Sequence, residues 1–538
     1  MTSTLQTPIL IVGAGPVGLG LALDLGTRGT ECMVLEMTDG VIVQPKIGLM
    51  AVRTMEIFRR WGIDESVRNG GFPRDYKLSM VFCTSLFGHV LDKEDYPSLD
   101  GMPIPAWSTD KKQRCPQIWL NPIMQSAVER QDCVNLKLRC KLESFEQFDD
   151  HVLSQVTDLE SQEKFTVRAQ YLVACDGIGS AVRNSLGIDM QGNAKLSYSI
   201  SILVRLPGLL DLIDKGQAER YIFVGSDGTW GNWTVINGTD LWRMTILGTE
   251  EKLDLKTFDA AQWIRKGLGR DDVDFEVLSI LPWRRSELIA ASYRHQRVIL
   301  AGDAAHTMSP TGGMGMNTGM GDAFDLGWKL DATIKGWGGP RLLDSYEAER
   351  RPVAIRNAKF STHNWNAWLS AKNCGNLQED TQEAAHLRAE IGARLKEATK
   401  ADWESWGLQM GYVYEGSDLC VPDGSAALPD DYIQYLPSSR PGGRAPHAWL
   451  PDGRSTLDLF GNGFVLLRFE QNHSSIGSSL EEAASKLGVP LVVVQIDTPA
   501  VANVYAYPWV MVRPDGHVCW RGHQIDDPES LIKTISGH

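Results

Sequence analysis

The sequence predicts an α/β fold that is interrupted by a mostly β unit and followed by a separate C-terminal domain. Three observations indicate this. A strand, a glycine-rich turn and a helix follow one another at the N-terminus, residues 73–107 and 196–281 carry strand-like runs without helical period, and residues 416–444 are rich in Pro, Gly, Ser and Asp. The 538 residues also exceed the roughly 250–300 at which one hydrophobic core stops growing. We therefore expect several domains.

Composition excludes several classes of protein. The 53 basic and 67 acidic residues give a net charge of −14, and 43% of residues are hydrophobic, so we expect a globular protein without a nucleic-acid partner. The nine cysteines show neither CxxC nor Cys/His ligand spacing, which predicts no metal site and a reduced, cytoplasmic compartment. The N-terminus does not resemble a leader sequence, and no apolar run is long enough for a membrane span.

The first chemical signal is a strand–turn–helix–strand unit at the N-terminus. The apolar run Pro8–Val12 leads into Gly13-Ala-Gly-Pro-Val-Gly18, an apolar helical stretch follows, and Cys32–Glu36 reads as the second strand. The glycines allow a tight turn, the helix N-terminus faces a pyrophosphate, and Glu36 can bind ribose hydroxyls. This Rossmann-like pattern predicts a dinucleotide site and, on its own, leaves NAD and FAD open.

Two later strands end on the same kind of polar turn. Gln170–Cys175 precedes Asp176-Gly177, and Arg297–Ala301 precedes Gly302-Asp303 and the glycine-rich loop Ser309–Gly319. Each aspartate on its own could be an ordinary turn or N-cap residue. The carboxyl ends of parallel strands meet at one edge of an open sheet, so we expect a single crevice that holds one long cofactor.

Taken together, these motifs resemble those of the single-component FAD-dependent aromatic hydroxylases, flavoprotein monooxygenases of the p-hydroxybenzoate and phenol hydroxylase type. The matching stretches are Ile9–Glu36, Tyr171–Arg183 and Val298–Ala323, and the hairpin Trp509–Trp520 is similar to one in the C-terminal thioredoxin-like domain of phenol hydroxylase-like members. The resemblance implies a monooxygenase that uses FAD, O2 and NADPH or NADH. It would hydroxylate a substituted phenol or a related aromatic or polycyclic compound through an FAD C4a-hydroperoxide.

The resemblance also implies a domain plan. An FAD-binding domain would comprise residues 1–72, 108–195 and 282–400, and a substrate-binding β domain residues 73–107 and 196–281. Residues 401–445 would form a linker and residues 446–538 a thioredoxin-like domain. Because that last domain lacks CxxC, thiol–disulfide chemistry is not expected there. It would pack against the flavin domain or a partner subunit, and a homodimer is possible. The chain has no second GxGxxG, so NAD(P)H would visit only transiently.

Residues matching the family motifs are the predicted cofactor contacts. Glu36 would bind the adenosine ribose, Asp303 the ribityl chain, and Gln117 the flavin, whereas Arg53 could equally be a surface or helix-dipole charge. The predicted set is Gly13, Gly15, Pro16, Val17, Gly18, Glu36, Lys46, Arg53, Gln117, Asp176, Gly177, Gly302, Asp303, Pro310, Gly313, Gly315, Met316 and Asn317. The backbone N–H groups of the glycine-rich loop would stabilise the anionic reduced flavin.

The expected substrate pocket departs from the phenol-hydroxylating pattern. In Pro45-Lys46-Ile47-Gly48, Lys46 stands where relatives carry Arg, and Gly48 stands where they carry the group that activates the phenol. An acid three residues before the flavin-contacting glutamine is replaced by Arg114. A cation there could lower the pKa of a phenol or suit an anionic aromatic, or could simply be solvated. The predicted catalytic residues are Arg114, Arg243, Tyr221 and Pro310, and His306 is expected to be structural.

Other chemistries remain open on this sequence. Epoxidation and Baeyer–Villiger oxidation use the same cofactor with a different pocket. A flavin-binding interaction protein without turnover is a further alternative. Halogenation is disfavoured because the Trp-x-Trp-x-Ile-Pro signature is absent from the chain.

Overall fold

The computed structural model describes residues 4–46, 48–469 and 476–538, and its first sheet carries the dinucleotide motif. The eight strands are β1 (Thr4–Val12), β2 (Cys32–Leu35), β7 (Val134–Lys137), β8 (Cys140–Gln147), β9 (Val152–Asp158), β10 (Lys164–Ala174), β16 (Arg294–His295) and β17 (Val298–Leu300). Their order is β16-β17-β10-β1-β2-β7, with β9 on β10 and β8 on β9. The five strands from β17 to β7 are mutually parallel. Their apolar runs are buried, as expected for a sheet with helices on both faces.

Helices cover this sheet, and a two-stranded ladder lies beside it. The helices are α1 (Pro16–Thr27), α2 (Val52–Arg60), α3 (Asp64–Arg68), α4 (Gln117–Glu129), α5 (Ala181–Ser185), α8 (Met314–Ile334), α9 (Asp344–Trp368), α10 (Gln382–Trp403) and α11 (Trp406–Met410). The ladder pairs β3 (Leu49–Met50) with β6 (Gln113–Arg114). Helix α8 is buried on all sides over most of its 21 residues, which is typical of a helix inside the core. Across the described residues, no helix combines the length and the apolarity that crossing a bilayer requires.

The second sheet forms the mostly β unit. Its strands are β4 (Met80–Cys83), β5 (Val90–Glu94), β11 (Met190–Arg205), β12 (Arg220–Gly225), β13 (Gly228–Val235), β14 (Leu241–Thr249), β15 (Glu276–Ala290) and β18 (His306–Thr307), with helices α6 (Leu209–Leu212) and α7 (Ala260–Leu268). The strand order is β18-β15-β11-β14-β13-β12-β4-β5. Strands β11 and β15 run beyond the predicted bounds at 195 and 282, because they continue toward the first sheet as one long antiparallel ribbon.

The third sheet lies in the C-terminal part of the chain. It contains β19 (Phe464–Arg468), β20 (Leu491–Gln495), β21 (Trp509–Val512) and β22 (Val518–Gly522), with helices α12 (Ile476–Lys486), α13 (Pro499–Tyr505) and α14 (Pro528–Ser536). The order is β20-β19-β21-β22, with β19 and β20 parallel and the other pairs antiparallel. A βαβ unit followed by a β-hairpin and a helix is the thioredoxin-like arrangement. The fold class predicted from the sequence is thus the one observed.

The segment predicted as a linker is more ordered than its composition suggests. Residues 401–445 include the end of α10 and all of α11, and Leu408, Leu419 and Arg444 are buried. The Arg444 guanidinium donates to both oxygens of Glu56 on α2. Proline and glycine reduce regular secondary structure in this stretch, but they do not prevent an irregular chain from packing between two domains.

The third sheet packs directly on α8 and α9 of the flavin domain. Trp328 on α8 meets Phe464 edge to face, with ring centroids 6.1 Å apart. Arg513, at the end of β21, donates to both carboxylate oxygens of Glu349 at 2.6 and 2.9 Å and to Asp325 at 3.0 Å. Burial alone would raise the pKa of Glu349, but Arg513 and Lys329 hold it well below its usual value. A buried ionic network therefore joins the two domains.

We predict that Arg513→Met lowers the free energy of unfolding by about 3–5 kcal/mol, because it leaves buried carboxylates without their cation. Urea denaturation followed by circular dichroism would measure this change. Arg454→Met is the matched control, since Arg454 is exposed and its salt bridge is to the exposed Asp452. Equal midpoints for the two variants would contradict a stabilising role for the network.

Candidate active site

Four strand ends in the first sheet lie side by side. The register places Leu35, Val12, Ala174 and Leu300 in one row across β2, β1, β10 and β17. The residues that follow this row are the predicted polar and glycine turns: Glu36, Gly13, Asp176 and Gly302. The single crevice predicted from the sequence is the consequence of this common register.

The glycine turn fits tightly on the sheet and is open toward the crevice. Gly13 has φ +104°, and a Cβ on it would lie 2.4 Å from the carbonyl oxygen of Cys175. A Cβ on Gly18 would lie 1.9 Å from the carbonyl oxygen of Gly13, whereas a Cβ on Gly15 would meet no atom within 4 Å. Pro16 begins helix α1 directly behind Gly15. The first amide groups of α1 thus face free space, as a pyrophosphate site requires.

Val17 and Glu36 fix the two sides of this turn. Val17 packs where side chains on Gly302 or Gly319 would clash with it, at 2.9 and 2.5 Å. The Glu36 carboxylate accepts the backbone N–H of Ala14 at 2.9 Å through one oxygen. The other oxygen accepts the N–H and the hydroxyl of Thr38, both at 2.8 Å. Each carboxylate oxygen has two lone-pair sites, so one acceptor site remains, on the oxygen that Ala14 contacts, for a ribose hydroxyl.

Asp176 has an unused acceptor beside open backbone. Its Oδ2 accepts the N–H of Val182 at 3.2 Å. Its Oδ1 is buried and has no hydrogen-bond partner within the described part of the chain. Side chains on Gly177 or Gly179 would meet nothing within 4 Å. A buried acceptor without a donor is costly in a finished structure, so this position fits a bound ligand.

Asp303 projects from a rigid turn at the wall of the crevice. The turn is held by Asp322, which accepts from the Gly302 N–H at 3.2 Å and from His306 Nε2 at 2.6 Å. His306 is fully buried in this role, which supports the structural interpretation. Asp303 itself is exposed to the crevice. Desolvation by the surrounding walls raises the pKa of its carboxyl, and His306 and Lys46 partly offset this effect.

Helix α8 begins at the far end of the same crevice. Its N-cap Gly313 has φ +66° and offers no side chain to cap the first amides. A Cβ on Gly315 would meet only Met308 Cγ, at 4.0 Å. The Asn317 side chain anchors this end by accepting from Ala51 N at 2.9 Å and Thr54 Oγ1 at 2.6 Å. Met316 beside it is buried, and the loop residue Pro310 is exposed.

The segment at Pro45 closes the other side of the crevice. The Lys46 backbone N–H donates to Gln117 Oε1 at 3.2 Å, and the Lys46 side chain is exposed. Ile47 lies outside the described residues. Arg243 Nη1 donates to the carbonyl oxygen of Pro45 at 3.1 Å. Arg243 thus lies against the segment at Pro45, and its role in substrate binding stays a prediction.

The structure contradicts the predicted role of Tyr221. Its side chain is fully buried in the hydrophobic cluster on the outer side of the second sheet, with Phe223, Trp233 and Trp242. Its hydroxyl donates to the carbonyl oxygen of Gly216. Alternation along β12 directs Tyr221 outward and its neighbour Arg220 inward. The sequence alone could not identify the inward face.

Arg53 makes protein contacts that the sequence did not indicate, and its contact with the cofactor stays a prediction. Its guanidinium donates to Glu56 at 3.1 Å and to the carbonyl oxygen of Asp515 at 2.9 Å. It therefore ties α2 to the hairpin of the third sheet. This contact joins residues far apart in sequence, so no local pattern could indicate it.

Arg114 and Gly48 form one structural feature. Arg114 is buried and forms an ion pair with Glu219 at 2.6 Å, and it donates to the carbonyl oxygen of Val235. A Cβ on Gly48 would lie 3.3 Å from Arg114 Nη1. The arginine therefore fills the space that a side chain at position 48 would occupy. Because its charge is paired, Arg114 is not the free cation that the sequence suggested.

Sequence reasoning identified Arg243 but missed the other polar side chains on the inner face of the second sheet, here the residues Ser201, Arg220, Asn232, Thr234, Thr245 and Arg285. Arg285 Nη1 donates to Ser309 Oγ at 2.5 Å, at the start of the glycine-rich loop. Trp283 Nε1 donates to Ser201 Oγ at 3.0 Å. The available signal was the strand period: Arg220 lies on the same face as Arg243, since each pairs in register with Thr234.

We predict that Asp303→Ala folds normally but retains FAD about 10- to 100-fold more weakly, because charge-assisted hydrogen bonds to sugar-like hydroxyls are lost. The ratio of flavin to protein absorbance after gel filtration would measure retention. Asp344→Ala removes an exposed carboxylate outside the crevice and serves as the control. Full flavin occupancy in Asp303→Ala would remove this residue from the binding site.

We predict that Arg114→Met destabilises the protein by about 3–5 kcal/mol, because Glu219 is left buried without its partner. The double variant Arg114→Met/Glu219→Gln should regain most of that loss, which thermal or urea denaturation would measure. If the double variant is as unstable as the single one, the ion pair is not the reason for the effect.

Comparison with known proteins agrees with this geometry. A family model described as an FAD binding domain matches residues 6–361, and one described as the C-terminal domain of aromatic-ring hydroxylases matches residues 438–536. The FAD-dependent monooxygenase apdD of Emericella nidulans is 31% identical, with 98% of this chain and 89% of that protein covered. Phenol 2-monooxygenase of a Pseudomonas species is 28% identical, covering 100% and 93%.

A solved structure extends the likeness to the whole fold. RebC soaked with chromopyrrolic acid, with bound 7-carboxy-K252c, superimposes with a TM-score of 0.93 at 37% identity and covers 99% of this chain and 100% of its own. The open glycine turn, the free Asp176 oxygen and the uncapped start of α8 all fit FAD. The chain therefore belongs to the FAD-dependent aromatic-ring hydroxylases, a family of flavoprotein monooxygenases.

Proposed function

We propose that this monooxygenase hydroxylates a substituted phenol or a related aromatic or polycyclic compound, with NADPH or NADH as the electron donor and O2 as the oxygen source. The observation that carries this proposal is the position of the second sheet. Its inner face reaches the segment at Pro45 through Arg243 and the glycine-rich loop through Arg285. These two contacts border the place where a flavin ring would lie.

The crevice residues would hold the cofactor in one orientation. The amides at the start of α1 would bind the pyrophosphate, Glu36 the adenosine ribose, and Asp303 the ribityl hydroxyls. When bound, FAD supplies the redox chemistry that takes electrons from NAD(P)H and activates O2. The unpaired amides at the start of α8 would stabilise negative charge on the reduced ring, because a helix N-terminus carries partial positive charge.

The second sheet would exclude water from the reacting centre. Trp283 and Trp365 flank the Arg285 guanidinium, whose central carbon is 4.9 and 3.8 Å from their ring centroids. Asp402 would lie 3.4 Å from a Cβ on Gly312 of the glycine-rich loop. Aromatic and polar groups thus alternate around this space, as in most small-molecule sites. Removal of water protects reactive oxygen species from unproductive decay.

The nicotinamide donor would bind only transiently. The sequence has one GxGxxG turn, at Gly13–Gly18, and the proposed cofactor occupies it. Open backbone at Gly177 and Gly179 offers an accessible edge of the crevice where a second nucleotide could approach. The preference between NADPH and NADH is left to experiment.

We predict that NADPH or NADH bleaches the visible absorbance of the FAD-loaded enzyme under anaerobic conditions, and that a suitable aromatic compound accelerates this bleaching by at least about tenfold, equivalent to about 1.4 kcal/mol of coupling. Stopped-flow absorbance of the oxidised flavin would measure the rate. Admission of O2 should then yield a hydroxylated product by mass spectrometry. Absence of bleaching with both nucleotides would favour a flavoprotein that is reduced by another route.

A further inference from the structure

The inner face of the second sheet carries more positive charge than its neighbours neutralise. Three guanidinium groups converge there in addition to the paired Arg114: those of Arg220, Arg243 and Arg285. Arg220 and Arg243 lie on β12 and β14 and each pairs in register with Thr234 on the strand between them. Their side chains therefore share one face, about 10 Å apart at the backbone, close enough to hold one group between them.

These arginines are poorly satisfied. The Arg220 side chain forms no hydrogen bond or salt bridge with any described residue. Arg243 makes one hydrogen bond, to the carbonyl oxygen of Pro45, and Arg285 makes one, to Ser309 Oγ. The Nε atoms of all three are buried and lack partners among the described residues. Arginine has five N–H donors, so most of these donors are available to a ligand.

Aromatic rings hold the guanidinium groups in place without neutralising them. The Arg220 guanidinium carbon lies 5.1 Å from the ring centroids of both Trp368 and Trp403. Arg285, only 2% exposed, stacks on Trp365 at 3.8 Å. Stacking occupies the planar faces of a guanidinium and leaves the N–H groups at its edge free. That is the arrangement suited to a carboxylate, which takes two parallel hydrogen bonds at such an edge.

The charges around these arginines also indicate that an anion binds here. Five cations face three carboxylates: Arg114, Arg220, Arg243, Arg285 and Lys112 against Glu219, Asp402 and Glu404. Burial, Arg220 and Arg114 lower the pKa of Arg243 to about 10. Burial raises the pKa of Asp402 to about 6 despite Arg220, so this carboxylate is still mostly ionised at pH 7 and is counted among the three. An excess of about two positive charges is left in a desolvated site, which is costly without an anion.

We propose that the aromatic substrate of this enzyme carries a carboxylate group and that Arg220 and Arg243 bind it, with Arg285 beside it at the glycine-rich loop. The inference rests on the proposed function, since it specifies the substrate class of the same site. A carboxylate is ionised throughout the neutral range, whereas an ordinary phenol is not. It therefore supplies the missing negative charge before any chemistry begins.

The test is a binding titration of oxidised, FAD-loaded enzyme without NAD(P)H. The probes are hydroxybenzoates, hydroxynaphthoates and indole-carboxylates, each paired with its methyl ester, and a 4-nitrophenolate arm supplies an anion without a carboxylate. Perturbation of the flavin absorbance and quenching of flavin fluorescence report binding. At least one acid should bind about 10- to 100-fold more tightly than its ester, the range expected for charge-assisted hydrogen bonds.

Three variants locate the site. Arg220→Met and Arg243→Met should each remove most of the preference for acid over ester while leaving FAD content unchanged. Neither should lower the thermal midpoint of the ligand-free protein, because each removes an unbalanced buried cation. Arg205→Met is the control: Arg205 is exposed at the end of β11 in the same sheet and pairs with Glu276 at 2.8 Å. It should bind the acid like the unmodified enzyme.

The outcomes separate this inference from the proposed function. Preference for esters or nitrophenolate over every acid, failure of all acids to bind, or retention of acid preference in both arginine variants overturns the carboxylate site. Hydroxylation of neutral phenols in those cases would leave the monooxygenase proposal intact. Tight, arginine-dependent binding of acids without any NAD(P)H-dependent oxygenation would support the carboxylate site and contradict the proposed monooxygenase function.

Discussion

Helix α8 is the element on which the rest of the structure depends. Its first turn closes one end of the FAD crevice. Asp322, in its third turn, accepts hydrogen bonds from the Gly302 N–H and from His306. One turn further on, Asp325 accepts from Arg513 of the third sheet. A single buried helix thus connects the cofactor site, the turn that presents Asp303 and the C-terminal domain. The helix can be buried on all sides because Asp322, Asp325 and Lys329 are paired with opposite charges or hydrogen-bond donors.

The sequence predicts a structural feature correctly where neighbouring residues alone determine the backbone conformation. The spacing of Gly13, Gly15 and Gly18 predicts the crevice because backbone close approach requires glycine there. Asp176 and Gly302 follow apolar runs that the sequence identifies as strands. The sequence does not predict side-chain positions that depend on contacts between residues far apart in the chain. Tyr221 and Arg220 are adjacent on one strand, and only the packing of β12 against α9 and α10 decides which of them faces inward. The same limit explains Arg53 and the burial of residues 401–445.

Two departures from the family pattern have a common physical explanation. In the sequence, Gly48 and Arg114 are two separate positions that lack the family's activating groups. In the structure, the Arg114 guanidinium occupies the volume beside Gly48 and is neutralised by Glu219. The positive charge on the inner face of the second sheet comes instead from Arg220, Arg243 and Arg285, which form no salt bridge with any described residue. Charge complementarity to a substrate is therefore a property of the sheet face, which a motif comparison around positions 45–48 and 114 does not reveal.

The interdomain salt bridges give the C-terminal domain a place in the thermodynamics of cofactor binding. Lys329 and Arg513 both pair with Asp325 on α8 and Glu349 near the start of α9, and Arg513 also pairs with Asp515 of its own hairpin. Without the third sheet, two carboxylates would share one lysine inside the flavin domain. The C-terminal domain thus supplies a cation that pairs with buried carboxylates of the cofactor-binding domain, so we expect the two domains to fold as one unit.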